Sequence, residues 1–388
     1  MQFQLEVKKD FVDQSKVKFY QNPIDLVTNE NADIIVELIG GNDVAYELSK
    51  KALMNKKCLV TANKAMIATN GLELVKIAEQ NKVSLFFEAA VAGAIPILKI
   101  IREGLAANEV KKIYAILNGT CNYILTKMAK DKTDFAPILK QAQNLGYAES
   151  NPITDIEGTD TAHKLAIIIA IVNNSIPKFS DIYTEGITKI NIDDIVFARE
   201  FGYDIKLLAV YENHINNIAQ YVYPCLVKTG KNIANITDSY NAILTHCDNA
   251  GWNMSVGKGA GMRPTASAVV ADLIDIANNR KSYAFGANIN HLQQNKNLSI
   301  SQRIGGYYIR FIIDKIFAQT NDIPKLIFKD ANLDIEILME DNEKNIKYAI
   351  KIAHAKETDI KSYIENIAQI NQISSVNMMR IEDIKSDI

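Results

Sequence analysis

Glu149, Asp155, Asp160 and Lys164 all fall in one short stretch, Gly146–Lys164, with the sequence GYAESNPITDIEGTDTAHK. Asp160 and Lys164 are four apart, so on a helix they lie on one face, a turn apart. A carboxylate held beside an ammonium, with Glu149 in a preceding turn, can bind a small polar molecule and move a proton. The plainer reading is a surface ion pair worth a few tenths of a kcal/mol. The pair alone leaves both readings open.

Three further places carry chemistry-bearing residues. Lys64 falls just past a short apolar run, Cys58–Ala62, that predicts a strand. In an open α/β sheet, ligands sit at the carboxyl ends of the strands; otherwise Lys64 is a surface lysine. Glu88 stands at the end of a second predicted strand, Val83–Val91, where it can cap the following turn. Gly257, Gly259 and Gly261 form a glycine loop, either a simple turn or a place where backbone approaches a ligand closely. His163 points about 100° away from Lys164 on a helix and reads as structural.

These residues need a scaffold. A chain of 388 residues predicts two or three domains. It is 48% hydrophobic and 23% charged, the composition of a soluble globular protein. A net charge of −2 gives no reason to expect nucleic acid or an anionic membrane as partner. The four cysteines lack CxxC spacing, which argues against a zinc site or disulfide framework and suits a reducing cytosol. The N-terminus has no apolar core of a signal peptide, and the longest apolar run, Leu165–Val172, is far short of the roughly 20 residues that span a bilayer. The expectation is a cytoplasmic protein.

Strand and helix signals alternate at first. Ala32–Ile39 reads as a strand closed by Gly40-Gly41, Asp43–Lys56 as a helix, and Gly71–Lys82 as part of another. Continuous apolar strands separated by helices imply a parallel sheet covered on both faces. Gly93 and Pro96 open a helix through Leu105, and strand Lys111–Leu117 ends in the turn signal Asn118-Gly119-Thr120. Further on come helix Phe135–Leu145, strands Asp204–Tyr211 and Tyr221–Val227, and a helix Thr265–Asn278 dense enough in apolar residues for burial. Lys281–Arg303, rich in Asn and Gln, reads as a linker. From Gly306 the order becomes βαββαβ, a ferredoxin-like arrangement: strand Tyr307–Ile313, a helix including Leu326–Asp330, strands Leu333–Met339 and Lys347–Ala353, helix Ile360–Gln369 and strand Ile373–Ile381.

Seven motifs in order resemble the homoserine dehydrogenase family: VELIGG (Val36–Gly41), TANKA (Thr61–Ala65), FEAAVAGAIPI (Phe87–Ile97), ILNGTCNYIL (Ile116–Leu125), GYAE (Gly146–Glu149), DIEGTDTAHKLAI (Asp155–Ile167) and GKGAGMRPTASAVVADLIDIA (Gly257–Ala277). The resemblance implies NAD- or NADP-dependent interconversion of L-aspartate 4-semialdehyde and L-homoserine, on the route to threonine, methionine and isoleucine. It implies an α/β chain with a truncated Rossmann-like parallel sheet (1–97), an α+β catalytic and dimerisation domain (98–285), a linker (286–305) and an ACT-like regulatory domain (306–388). It implies Lys164 as the acid/base lysine and Lys64 as a second lysine near nicotinamide and substrate. Glu149 and Asp160, with Asp155 in support, would hold the substrate. Ile39, Gly40, Gly146 and Gly259 join Lys64 at the cofactor. A monovalent cation, Na+ or K+, would sit on Glu88, Val91, Gly93 and Ile95. A homodimer or homotetramer is implied.

The chain also departs from the family pattern. The family opens with a strand, a GxGxxG-type loop and a helix whose N-terminus binds pyrophosphate. Here nothing before Gly40 is a glycine, and Gln2–Phe11, QFQLEVKKDF, resembles the family's second strand. The expectation is a chain without the first βα unit, from a start set too late or a decaying gene, that binds NAD(P)H weakly. The alternative function is a catalytically impaired remnant with binding or assembly roles. In the C-terminal region Asp314-Lys315-Ile316-Phe317 stands where an effector loop with a glycine turn is expected, which puts threonine binding in doubt.

Overall fold

The computed structural model describes residues 13–29, 31–328 and 333–386. The expected strand at Gln2–Phe11 lies outside them, as do Lys329 and Asp330 of the helix expected at Leu326–Asp330. The strands, in chain order, are β1 (Ile34–Glu37), β2 (Cys58–Thr61), β3 (Leu85–Phe86), β4 (Val110–Ile116), β5 (Tyr183–Thr184), β6 (Tyr203–Asn213), β7 (Ile218–Lys228), β8 (Tyr240–Cys247), β9 (Gly251–Lys258), β10 (Ile304–Asp314), β11 (Ile335–Asp341), β12 (Asn345–Lys356) and β13 (Ile373–Glu382).

β1, β2 and β3 pair in that order, all parallel, as the alternating pattern predicts. Helices Asp43–Met54 and Lys64–Asn81 provide the crossovers that parallel pairing requires. The second of these starts seven residues before Gly71. The Asn63 side chain accepts a hydrogen bond from the Met66 N–H at 3.1 Å, an N-cap that fixes the start at Lys64. Gly71 lies inside the helix because the Phe285 ring packs on it; a Cβ there would come within 2.8 Å of the ring. The strand expected over Val83–Val91 is only Leu85–Phe86, since the chain turns into a 3-10 helix at Glu88–Ala90.

The middle region is an antiparallel sheet, β7-β6-β4-β8-β9, with helices Gly119–Asp131 and Thr159–Val172 packed on it. Strands β8 and β9 and helix Gly119–Asp131 were not expected from the sequence. Gly257 and Lys258 belong to β9, so the glycine loop is shorter than it reads. Helix Met262–Ala277 is only half covered: Ala268, Val269, Asp272 and Asp275 are buried, while Val270 and Ile274 are about half exposed. Lys281–Arg303 is pinned to the surface. The Asn288 side chain donates to Glu79 at 2.7 Å, Phe285 is fully buried, and Ser175 bridges Gln293.

The C-terminal strands pair as β11-β12-β10-β13, all antiparallel, with helices between them in the expected βαββαβ order. Along β10 the side chains alternate as a pleated strand must. Tyr307, Ile309, Phe311 and Ile313 enter the core of this module. Tyr308 and Arg310 face the other way, onto Asp194 of helix Ile192–Glu200. Parallel pairing of β13 with β7 at Arg380–Glu382 then fuses both sheets into one of ten strands. No helix among the described residues is long and apolar enough to cross a membrane.

The junction is polar and fully buried. Asp194 accepts from Arg310 Nε at 2.7 Å, Tyr308 OH at 3.2 Å and Asn377 Nδ2 at 2.9 Å, while completing a capping box with Asn191. Removing one member of such a network leaves a buried charge unpaired, at a cost of about 3–5 kcal/mol. Asp194→Ala is therefore expected to lower the unfolding free energy by about that amount in urea titration. A loss under about 1 kcal/mol, the worth of a surface pair, would contradict this account of the junction.

Candidate active site

Gly158, with φ of +84°, lets the chain enter helix Thr159–Val172 against Thr184 and Val222, which leave little room for a side chain. Asp160 lies in the first turn of that helix, where the positive end of the helix dipole favours a carboxylate. Lys164 follows one turn later. Its Nζ donates to Asp160 Oδ2 at 2.7 Å and to the Leu117 carbonyl at 2.7 Å. Both residues are buried, Asp160 at 6% and Lys164 at 8% exposure, which rules out an ordinary surface pair.

Lys64 completes the arrangement from the other side. As the first residue of its helix, at the carboxyl end of β2, it brings Nζ to 3.1 Å from Asp160 Oδ1. One carboxylate thus faces two ammoniums from separate parts of the chain. Burial alone would push the Asp160 carboxyl up, but Lys164 and Lys64 outweigh it and hold it well below the usual carboxylate range. Two unit charges ~4 Å apart attract by on the order of 4 kcal/mol at an effective dielectric of about 20, before desolvation and, at the partly exposed Lys64, solvent screening are subtracted. In return, Asp160 raises the Lys64 ammonium above the ordinary lysine value.

Asn118 joins the remaining carboxylate to this core. It caps helix Gly119–Asp131, accepting from the Cys121 N–H, and its Nδ2 donates to Asp155 Oδ1 and Asp160 Oδ2, both at 2.8 Å. Burial, then the neighbouring Asp160 charge, pushes the Asp155 carboxyl up. Glu149 is exposed at the rim. It follows the turn at Gly146 (φ +76°) that ends helix Phe135–Asn144. Lys64, Gly146, Glu149, Asp155, Asp160, Lys164 and Gly259 all line one cleft of about 810 Å³. Asn118, Asp238 and Ser239 line it as well and were not singled out from the sequence; the turn signal at Asn118 hid a helix cap.

A second, more apolar cleft of about 490 Å³ adjoins it, lined by Leu38, Ile39, Gly40, Met262 and Val269 among others. The two share Ala62, Gly261 and Thr265. Glu37, also missed in the sequence, shapes the β1 end of this cleft. Its carboxylate accepts from the N–H groups of Ile39 (2.7 Å) and Gly40 (3.1 Å) and from the Thr61 hydroxyl (2.6 Å). A Cβ at Gly40 or Gly41 would meet nothing within 4 Å, so this backbone is open to a ligand.

Glu88 lies behind the cleft. Its carboxylate accepts from the N–H groups of Leu98 (2.8 Å) and Lys99 (3.1 Å), and so caps the helix that starts at Ile97. Nearby, Gly93 packs on Gly259; a Cβ on Gly93 would come within 2.7 Å of the Gly259 carbonyl. Val91 and Gly93 are buried, and their carbonyls accept no hydrogen bond among the described residues. His163 stands edge-on to Phe179 at 4.5 Å, a packing role as expected.

A parallel βαβ sheet with its cleft at the strand ends, joined to a buried ammonium–carboxylate site, is the construction of a two-part α/β enzyme that binds its ligands at the strand ends. Comparison with known proteins is more specific. Residues 5–88 match the NAD binding domain of homoserine dehydrogenase and residues 96–274 its homoserine dehydrogenase domain. The chain is 39% identical over 378 residues to a homoserine dehydrogenase of Neisseria gonorrhoeae, covering 94% of this chain and 86% of that one. The crystal structure of the enzyme from Thiobacillus denitrificans superposes with a TM-score of 0.86 at 38% identity, covering 94% of this chain and 85% of that one. A hyperthermophilic archaeal homoserine dehydrogenase in complex with NADPH is similar at 29% identity and a TM-score of 0.59, covering 68% of this chain and 77% of that one. The chain belongs to the homoserine dehydrogenase family.

Burial pushes the Glu88 carboxyl up to about 7. Between its ordinary value of 4.5 and about 7, the folded chain holds a proton there that the unfolded chain has released. The contribution of Glu88 to stability therefore falls as pH rises through that window. Unfolding free energies of wild type and Glu88→Gln, measured from acid to neutral pH in buffers free of Na+ and K+, are expected to give a difference that shifts against wild type by about 1–3 kcal/mol. A flat difference, or one moving in favour of wild type, would contradict a burial-driven shift.

Proposed function

We propose that this chain interconverts L-homoserine and L-aspartate 4-semialdehyde, with Lys164 and Lys64 acting on the substrate oxygen. The observation that carries the reading is the sharing of Asp160 by both lysines at the wall of one cleft. NAD(P), when bound, donates or accepts the hydride. The apolar cleft at Ile39, Gly40 and Met262, open to the substrate cleft through Ala62 and Gly261, suits a nicotinamide and its ribose.

In the reducing direction, negative charge develops on the aldehyde oxygen as its carbon is reduced. The Lys64 ammonium, 38% exposed, stabilises that charge. The Lys164 ammonium has two of its three N–H groups fixed, by Asp160 and by Leu117; the third delivers the proton that completes the alcohol. In the oxidising direction the Lys164 amine takes that proton back. Asp160 stays ionised throughout and holds both ammoniums in place. Glu149 and Asp160, with Asp155 in support, are the carboxylates for the substrate's amino end, and Gly146 and Gly259 give the backbone room near the cofactor.

By the same reading Na+ or K+ is held by Glu88, Val91, Gly93 and Ile95. The unpaired buried carbonyls of Val91 and Gly93 suit a hard cation. The Ile95 carbonyl also accepts from the Ile97 N–H, so it would be shared. The chain divides into domains 1–97, 98–285 and 306–388 with a connector at 286–305, the last domain being of ACT type. It works as a homodimer or homotetramer in the cytoplasm.

Purified chain supplied with homoserine and saturating NADP+ or NAD+, as weak cofactor binding requires, is expected to form reduced nicotinamide, followed by absorbance, and to do so far more slowly with amino acids that lack the hydroxyl. No homoserine-dependent reduction would sink the reading. Lys164→Met is expected to lower kcat by about 10²–10⁴-fold while NADPH affinity is kept, since general acid–base groups contribute that much. Near-normal turnover would remove Lys164 from the chemistry.

A further inference from the structure

Lys206 of β6 is 4% exposed and has no carboxylate partner among the described residues. Its Nζ donates to the Ile236 carbonyl and, at 3.3 Å, to Asn122 Oδ1. Asp204 and Arg199 nearby pair with each other at 2.6 Å. A buried cation held only by neutral oxygens costs stability, and a methionine of similar volume would pack there without that cost. Burial draws the Lys206 ammonium down to about 8, in line with this cost.

The loop between β7 and β8 converges on the same point. Asn122, 2% exposed on helix Gly119–Asp131, donates Nδ2 to the carbonyls of Ile236 (3.2 Å) and Tyr240 (3.3 Å). Lys206 and Asn122 together hold Ile236 from two sides and bond to each other. Beyond Thr237, the residue after Ile236, come Asp238, Ser239 and Tyr240, which form a wall of the substrate cleft. Asp238 has φ of +53°, a conformation that a non-glycine residue keeps only when its surroundings hold it. On the far side the wall presses on Gly119, where a Cβ would come within 2.8 Å of the Ser239 carbonyl. Gly119 directly follows Asn118, which holds Asp155 and Asp160.

We infer that Lys206 is a positioning residue for the amino-acid substrate. Through Ile236 and Asn122 it sets the Asp238–Tyr240 wall against the carboxylate cluster, without touching substrate itself. This rests on the reading of the cleft as a homoserine site, and the two can fail separately.

The test compares wild type, Lys206→Met, Asn122→Ala and the double variant in the full chain. Wild-type turnover of homoserine is measured first and bears on the function alone. For Lys206→Met the expected result is a KM for homoserine raised about tenfold, with kcat and NADPH affinity changed less than about threefold. Asn122→Ala should raise KM similarly, and the double variant should add little, because both act through Ile236. Amide hydrogen exchange should quicken in residues 231–240 and not in residues 97–104. Unchanged KM together with unchanged exchange in 231–240 overturns the inference, as does a uniform loss of KM, kcat and cofactor binding. If homoserine is not turned over, exchange alone decides. If Lys206→Met does not fold, Asn122→Ala decides by the same two readouts.

Discussion

One carboxylate shared by two ammoniums is the constraint on which the rest of this molecule depends. Asp160 is too buried to be ionised alone, and Lys164 is too buried to stay charged without an acceptor. Together with Lys64 they form a triad in which two attractions outweigh one desolvation. Lys64 comes from the parallel unit and Lys164 from the helix that packs on the antiparallel sheet. The triad is therefore also a joint, and the cleft lies where that joint closes. Asn118 donates to Asp160 and the Leu117 carbonyl takes a second Lys164 N–H, which leaves one N–H of that ammonium free toward the cleft.

Buried ion pairs recur where the C-terminal module meets the catalytic sheet. Asp194 pairs with Arg310 across the boundary, and buried Arg380 pairs with Glu357 of its own module and with partly buried Glu185 on the other side. Parallel pairing of β13 with β7 adds backbone bonds across the same boundary. A module attached in this way moves with the sheet rather than on a tether. At the position of the expected effector loop, Asp314 instead caps a short helix by accepting from the Phe317 N–H.

What could be read from the sequence was whatever rests on local periodicity. The Asp160–Lys164 pair follows from a spacing of four, the parallel order of the first strands from continuous apolar runs separated by helices, and the βαββαβ arrangement from the order of the last elements. What could not be read rests on pairings far apart in the chain. Lys64 and Asp160 are brought together only by the crossover helix and the packing of two units. Strands β8 and β9 carry Asn, His, Thr and Gly among their apolar residues, and so mask their alternation. Helix Met262–Ala277 reads as buried because its apolar residues are closely spaced, yet Asp272 and Asp275 face inward while Met262, Ala266 and Val270 line the open cleft at Ile39. Lys281–Arg303 reads as a free linker because its amides look like solvent-facing polarity; they are spent on pinning it down. Glu37 and Asn118 escaped notice because each joins nearby backbone to side chains distant in the chain, a task that leaves no periodic signature.

The central claim is that Lys64 and Lys164 act as one unit through Asp160. A double-mutant cycle on kcat/KM for homoserine, with each lysine replaced by methionine singly and together, tests this most directly. The account predicts strong coupling: the double variant loses little more than the worse single variant, with an interaction energy above about 1 kcal/mol. Losses that simply multiply would mean that the two lysines work independently, and would contradict the account.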